Sequence, residues 1–145
     1  MMERLRQNSL LKISIGIIYL WFGALKFFPE LSPAEGLATD TITKLTLGII
    51  PADVSIVLLA LLEVGIGICF LLHIQPKKIA IIALGHLVCT FAPLFFFNAI
   101  SFNGYPIFLT LVGQYIIKNL IIIAALVSII KESEAQIGQR KTVEN

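Results

Sequence analysis

The sequence predicts an all-α fold: an integral membrane four-helix transmembrane bundle with an amphipathic helix between the first and second spans. Hydrophobic residues make up 57% of the chain and charged residues only 14%, whereas a soluble domain carries about 25% charged residues. The mean hydropathy is +0.92, and four apolar runs are each long enough to cross a hydrocarbon core of about 30 Å. A length of 145 residues fits a single membrane domain over residues 1–145.

The first span is predicted over residues of about 10–29. No small-residue cleavage site follows it, so we expect an uncleaved span rather than a signal peptide. Gly16, Tyr19, Gly23 and Lys26 recur every three or four residues and therefore share one helix face. Glycines on a face let a second helix approach closely, which predicts that this face and Lys26 turn inward. Extension of Lys26 to the membrane interface is the alternative.

The predicted outer amphipathic helix covers residues of about 33–47. Pro29 ends the first span, and Ser32 and Glu35 have the spacing of a capping box. Gly48 is suited to end the helix. About 15 residues of mixed polarity are too few to span a membrane. We therefore expect the helix to lie at the interface or over the mouth of the bundle.

The other three spans are predicted at about 54–74, 79–97 and 107–130, and a polar C-terminal tail covers 131–145. On the side of both termini, eight basic residues flank the spans: Arg4, Arg6, Lys12, Lys77, Lys78, Lys131, Arg140 and Lys141. The loops of the opposite side hold only Lys44. Because basic loops stay inside, the sequence predicts a multi-pass protein of the cell (inner) membrane with cytoplasmic N- and C-termini.

One stretch carries a family resemblance. The segment Trp21–Pro29 followed by Ser32–Ala38 resembles the first-helix signature of the DoxX-like family of small bacterial integral membrane proteins, in its YkgB-like branch. The resemblance implies a four-helix bundle in the bacterial inner membrane. Some members are subunits of thiosulfate:quinone oxidoreductase or accompany other redox proteins, so it also implies a redox-associated role, a quinone as ligand and a redox protein as partner.

Three polar residues are predicted near the middle of the membrane. Glu63, His86 and Lys118 lie roughly 14–17 Å from the outer ends of three different spans, at about 1.5 Å per residue. A charge exposed to lipid at that depth costs about 2.5–3.5 kcal/mol or more, so we expect these groups to face the interior. The economical arrangement is a Glu63–Lys118 pair with His86 beside it, and with Gln114 one turn above Lys118 on the same face.

The outer end of the bundle suggests a second contact point. Lys26 is the first candidate for contacting a ligand that enters from outside, and Glu35 is its nearest local counter-charge in sequence. Aromatic residues concentrate toward the outer half of the predicted bundle, which is typical of an interfacial belt. They would also line an outer pocket capped by the 33–47 helix and suited to a flat ring such as a quinone.

Several chemistries lack their usual motifs. Cys69 and Cys89 lie in separate apolar runs without a Cys-x-x-Cys motif, so we expect buried thiols and no dithiol relay. One deep histidine, His86, does not build a metal site alone, and we expect no covalently bound cofactor. Basic residues interleaved with aromatics do not occur, so nucleic acid is not an expected partner.

Three function classes remain open for the candidate cavity of Lys26, Glu63, His86, Gln114 and Lys118. The first is a redox-associated subunit or a binder of a quinone or another small lipid-soluble ligand. The second is a small transporter or proton-pathway subunit, which favours a homo-oligomer because one four-helix bundle has a narrow lumen. The third is a structural or assembly subunit of a membrane complex, in which a buried ion pair only fixes packing. The sequence does not decide whether the protein is an enzyme.

Overall fold

The fold is all-helical over the part of the chain that the structure describes. The computed structural model describes residues 2–28, 35–104 and 108–143, with side chains between residues 9 and 139 of those ranges. Its helices are α1 (Met2–Leu25), α2 (Glu35–Leu45), α3 (Ala52–Leu71), α4 (Pro76–Thr90), α5 (Pro93–Phe96), α6 (Asn98–Ser101) and α7 (Leu111–Val143). The all-α prediction is therefore confirmed for the described residues.

Among the described residues, three stretches are long and apolar enough to cross a membrane, namely Ala52–Leu71, Pro76–Phe96 and Leu111–Gln139. They correspond to the predicted second, third and fourth spans and support a multi-pass membrane protein. The predicted first span corresponds to a shorter apolar helix, Ser9–Leu25, within α1. Large hydrophobic side chains such as Trp21, Leu61 and Ile121 lie exposed on the outside of the bundle, as lipid-facing positions do.

The helix boundaries follow local sequence signals. Gly48 takes a positive φ of 76° and donates its backbone N–H to the Thr43 carbonyl at 2.8 Å. This contact confirms the predicted end of α2, because a left-handed glycine closes the last turn. Pro93 lacks a backbone N–H and divides the predicted third span into α4 and α5. The segment that would cap α2, including Pro29 and Ser32, lies outside the described residues.

The predicted polar tail at 131–145 is helical over residues 131–143, since α7 continues to Val143. The extension is rich in residues that favour helices, such as Glu132, Ala135 and Gln136. Glu134 forms a salt bridge with Lys77 at the start of α4, with 3.0 Å between Lys77 Nζ and Glu134 Oε1. The polar segment is thus an extension of the last helix beyond the apolar part of the bundle.

The core lies where α1, α3, α4 and α7 meet. Its most buried side chains are Phe70, Ala80, Ala83, Leu126 and Ile129, each 0% exposed. Alanines on α4 leave room for the larger side chains of the neighbouring helices, which is how close-packed interiors are filled. The core therefore occupies the part of the bundle next to the turn between α3 and α4.

Glycines set the contact between α1 and α3. A Cβ atom added to Gly23 would lie 2.8 Å from the Glu63 Cβ, and one added to Gly67 would lie 2.6 Å from the Leu20 backbone nitrogen. On the other side of the same contact, Gly16 faces Gly67 and Leu71. The close approach predicted from the glycine face is confirmed, and it fixes the relative position of the two antiparallel helices.

Candidate functional site

A buried polar network joins α1, α3 and α4. Lys26 donates a hydrogen bond of 2.6 Å from Nζ to Glu63 Oε2, and the His86 Nε2 atom lies 3.4 Å from Glu63 Oε1. The Tyr19 hydroxyl lies 3.1 Å from His86 Nδ1 and 3.2 Å from the Ala83 carbonyl oxygen. The side chains of Lys26, Glu63 and His86 are only 8–10% exposed. The structure thus connects four polar side chains in one continuous series of contacts.

The position of α1 along α3 explains why Lys26 reaches this network. Gly23 contacts Glu63, which is the twelfth of the 20 residues of α3, so α1 ends level with the middle of α3. The N-terminal half of α3 continues beyond that end and packs against α2. The length of the first apolar run alone suggested that Lys26 lies near the outer end of the bundle. In the structure it lies instead at the level of Glu63.

The inward direction of Lys26 that the glycine face predicted is confirmed. Its ammonium group contacts the Glu63 carboxylate and also donates to the Phe22 carbonyl oxygen at 3.3 Å. One cation and one carboxylate in contact compensate each other's charge, as buried charges require. The carboxylate partner of Lys26 is thus Glu63 on α3, and the counter-charge role of Glu35 stays a prediction.

The predicted Glu63–Lys118 pair was wrong. Lys118 and Gln114 are exposed on the outside of α7, and the Lys118 ammonium lies 4.9 Å from the centre of the Tyr115 ring. The inward position at this level belongs to Asn119, whose side-chain amide donates to the Thr90 hydroxyl at 3.5 Å. Residues one apart on a helix point about 100° away from each other, so the rotation of α7 excludes Lys118 and Gln114 from the network.

Tyr19 is the member of the network that the predicted site residues omit. The signal for it was present, because Tyr19 lies seven residues before Lys26 on the glycine face. Its side chain is 4% exposed, and a buried tyrosine hydroxyl needs a hydrogen-bond partner. His86 supplies that partner, and the two rings meet edge to face with centroids 5.6 Å apart.

The geometry of Tyr19 allows a proton to be exchanged without loss of a hydrogen bond. The single hydroxyl proton has two acceptors within reach, His86 Nδ1 and the Ala83 carbonyl. With a neutral His86, Tyr19 donates to Nδ1 and the Nε2–H group faces Glu63. If His86 gains a proton at Nδ1, the hydroxyl turns to Ala83 and accepts from the ring. Tyr19 therefore keeps a hydrogen bond with His86 both when the ring is neutral and when it is protonated.

An apolar groove of about 270 Å³ lies on the surface of α1. It is lined by Ile17, Leu20, Trp21, Ala24, Leu25 and Phe28. Because no polar atom lines it, it suits a hydrocarbon chain or the face of an apolar ring. The groove lies on the exposed side of α1, because its lining residues point away from the helix face that carries Tyr19, Gly23 and Lys26. The predicted pocket beneath the 33–47 helix is a different place and stays a prediction.

The structure also locates the two cysteines and tests for a metal site. Cys69 is half-buried and Cys89 is exposed on the outside of α4, and both are free thiols. The buried position expected for Cys89 was therefore wrong. Within residues 9–28, 35–104 and 108–139, no group of three or more His, Cys, Asp or Glu side chains could hold a metal ion.

Comparison with known proteins adds no further constraint: no family model, no curated protein and no solved structure matches the chain.

Proposed function

We propose that the chain is a four-pass protein of the bacterial inner membrane, with α1 as the first pass and both ends cytoplasmic. The 17-residue apolar helix Ser9–Leu25 lies at the short end of the range for a transmembrane helix. Lys77, Lys78 and Lys131 flank one end of the bundle, where the positive-inside rule favours the cytoplasm. Cysteine-accessibility labelling at residues before α1 and after α2 tests this topology.

We propose further that the protein is a DoxX-like, redox-associated membrane protein that binds a quinone or a similar lipid-soluble ligand. The observation that carries this proposal is a buried network between apolar helices. It consists of Tyr19, Lys26, Glu63 and His86. Ionisable groups at such depth are expensive and generally serve a function. A quinone couples electron transfer to proton uptake and release, so its site needs groups that exchange protons in a water-poor environment.

The side chains of the network fit such a ligand chemically. The Lys26 ammonium and the His86 and Tyr19 groups are hydrogen-bond donors suited to the two carbonyl oxygens of a quinone ring. The apolar groove beside Trp21 would hold only the hydrocarbon tail of the molecule, because it lies on the opposite side of α1 from Lys26. A quinone, when bound, would supply the redox chemistry, and electrons would come from a partner protein. Lys26 and His86 would orient the ring and hold the exchanged protons.

The single tryptophan of the chain provides the test. Trp21 lies five residues before Lys26 on the same helix, about 7.5 Å along its axis, so a quinone bound at the network should quench its fluorescence in a saturable manner. Purified protein in nanodiscs is titrated with decylubiquinone, with N-acetyltryptophanamide in identical nanodiscs as the control for unspecific quenching. We expect Glu63→Gln to weaken the apparent affinity about tenfold, since Glu63 holds Lys26 in place and the loss of one charge-assisted hydrogen bond to the ligand costs about 1.5 kcal/mol.

Lys118→Gln is the matched control, because Lys118 lies outside the network and should leave the affinity unchanged. Linear, unsaturable quenching that equals that of the control compound would refute quinone binding. An unchanged affinity in Glu63→Gln together with a lower melting temperature would instead support the structural function class.

A proton-pathway subunit is the second candidate, and one observation favours it. From Tyr19 to Lys26 the network extends over seven residues of α1, about 10 Å along the helix axis, so it could form part of a proton path across the membrane. In proteoliposomes with an enclosed pH dye, an imposed potential would then drive proton entry that His86→Ala abolishes. No flux above that of protein-free vesicles would exclude this function.

A further inference from the structure

The outer face of α7 carries polar side chains at positions that face away from the bundle. Five exposed residues recur there at helical spacing: Leu111, Gln114, Tyr115, Lys118 and Ile121. Ile121 is 75% exposed and Tyr115 is 60% exposed. We call this set the α7 outer face. The opposite side of the same helix is used inside the protein, because Ile116 is buried and Asn119 contacts α4.

Lys118 is the unusual member of the α7 outer face. It lies within the apolar stretch Leu111–Gln139, seven residues after the start of the helix. Its ammonium group rests over the Tyr115 ring, and no carboxylate within the described residues forms a salt bridge with it. A lysine inside an apolar span normally finds an acid or a water-filled cavity. Among the described residues, Lys118 has no acid within salt-bridge distance, and its side chain is exposed on the outside of the helix.

We propose that the α7 outer face docks a transmembrane helix of another protein that carries a carboxylate at the depth of Lys118. An ion pair between the two helices would supply the charge partner that the described residues do not provide, and Gln114 would add a polar contact one turn away. A second copy of this chain fits less well, because two-fold packing of the same face would bring two Lys118 side chains together. The proposal is independent of the quinone proposal, since it involves no residue of the buried network.

The test uses a model transmembrane peptide and the full chain in liposomes. The peptide is a leucine-alanine helix with one glutamate at mid-depth, and its control has leucine at that position. A photo-crosslinking p-benzoylphenylalanine replaces Ile121 on the α7 outer face, or Ile82 on α4 as an exposed control position. At position 121 we expect about three- to tenfold more crosslinking to the glutamate peptide than to the leucine peptide, the range given by one polar interhelical contact.

Substitutions at residue 118 decide between the outcomes. Lys118→Met removes the positive charge and should abolish the preference for the glutamate peptide. Lys118→Arg keeps the positive charge and should retain the preference. Lys118 is exposed, so both variants are expected to fold, and a circular dichroism spectrum verifies this. Equal crosslinking to both peptides, an equal preference at position 82, or dominant chain-to-chain crosslinking from position 121 would each overturn the proposal.

Discussion

Gly67 offers the sharpest test of how α1 and α3 are packed. A Cβ atom at this position would lie 2.6 Å from the Leu20 nitrogen and 2.9 Å from the Gly16 oxygen, whereas ordinary contact begins at 3.4 Å. Both neighbours are backbone atoms and cannot turn aside. Gly67→Ala must therefore push the two helices apart by about 0.8 Å at this point, and overpacking of this kind costs about 1–3 kcal/mol.

Gly65→Ala is the matched control on the same helix. A Cβ atom at Gly65 meets nothing within 4 Å, so this variant gains the helix propensity of alanine, at most about 1 kcal/mol, without a clash. Because Gly67→Ala gains the same propensity, the difference in unfolding free energy between the two variants isolates the packing cost. Reversible unfolding in mixed micelles with increasing SDS, followed by Trp21 fluorescence, measures both.

We expect Gly67→Ala to be less stable than Gly65→Ala by about 1–3 kcal/mol. The same displacement would lengthen the contact between Lys26 and Glu63, so ligand-dependent quenching of Trp21 should weaken as well. Equal stabilities of the two variants would show that α1 and α3 are not in contact through this glycine face. The position of Lys26 at the level of Glu63, which was inferred from that contact, would then be refuted.

Two further predictions concern single contacts. Tyr19→Phe removes the hydroxyl that bonds His86 and Ala83, so it should lower the unfolding free energy by about 0.5–1.5 kcal/mol in the same unfolding assay; no loss would mean that the hydroxyl has no partner. Lys44→Met removes an ammonium that lies 4.1 Å from the centre of the Phe97 ring, a contact worth about 0.5–1 kcal/mol at an exposed site. Hydrogen exchange in α2 should then accelerate about two- to fivefold, and unchanged exchange would contradict an anchoring role for Lys44.

The sequence predicted the features that depend on local spacing. Gly16 and Gly23 define a face by their separation alone, and they predicted both a close contact with another helix and the inward direction of Lys26. Gly48 predicted the end of α2, because a positive φ there is a property of a single residue. The three longest apolar spans were likewise found by length, although Pro93 interrupts one of them.

The partners of the buried charges could not be predicted in the same way. Depth along a helix was counted from assumed outer ends, but α1 ends level with the middle of α3, which brings Lys26 rather than Lys118 to Glu63. The rotation of α7 about its axis was equally undetermined, since Lys118 and Asn119 are neighbours in sequence and only one of them faces α4. Both quantities are set by packing between helices, and neither is encoded in the spacing within one of them.

The central structural claim is that Lys26, not Lys118, is the charge partner of Glu63, and a pair of double-mutant cycles tests it most directly. Lys26→Met and Glu63→Gln are combined in one cycle, and Lys118→Met and Glu63→Gln in the other, with unfolding free energies measured in mixed micelles. We predict a coupling of about 1–3 kcal/mol in the first cycle and less than about 0.5 kcal/mol in the second, since only residues in contact couple strongly. Coupling between Lys118 and Glu63 with none between Lys26 and Glu63 would contradict the network on which the proposed function rests.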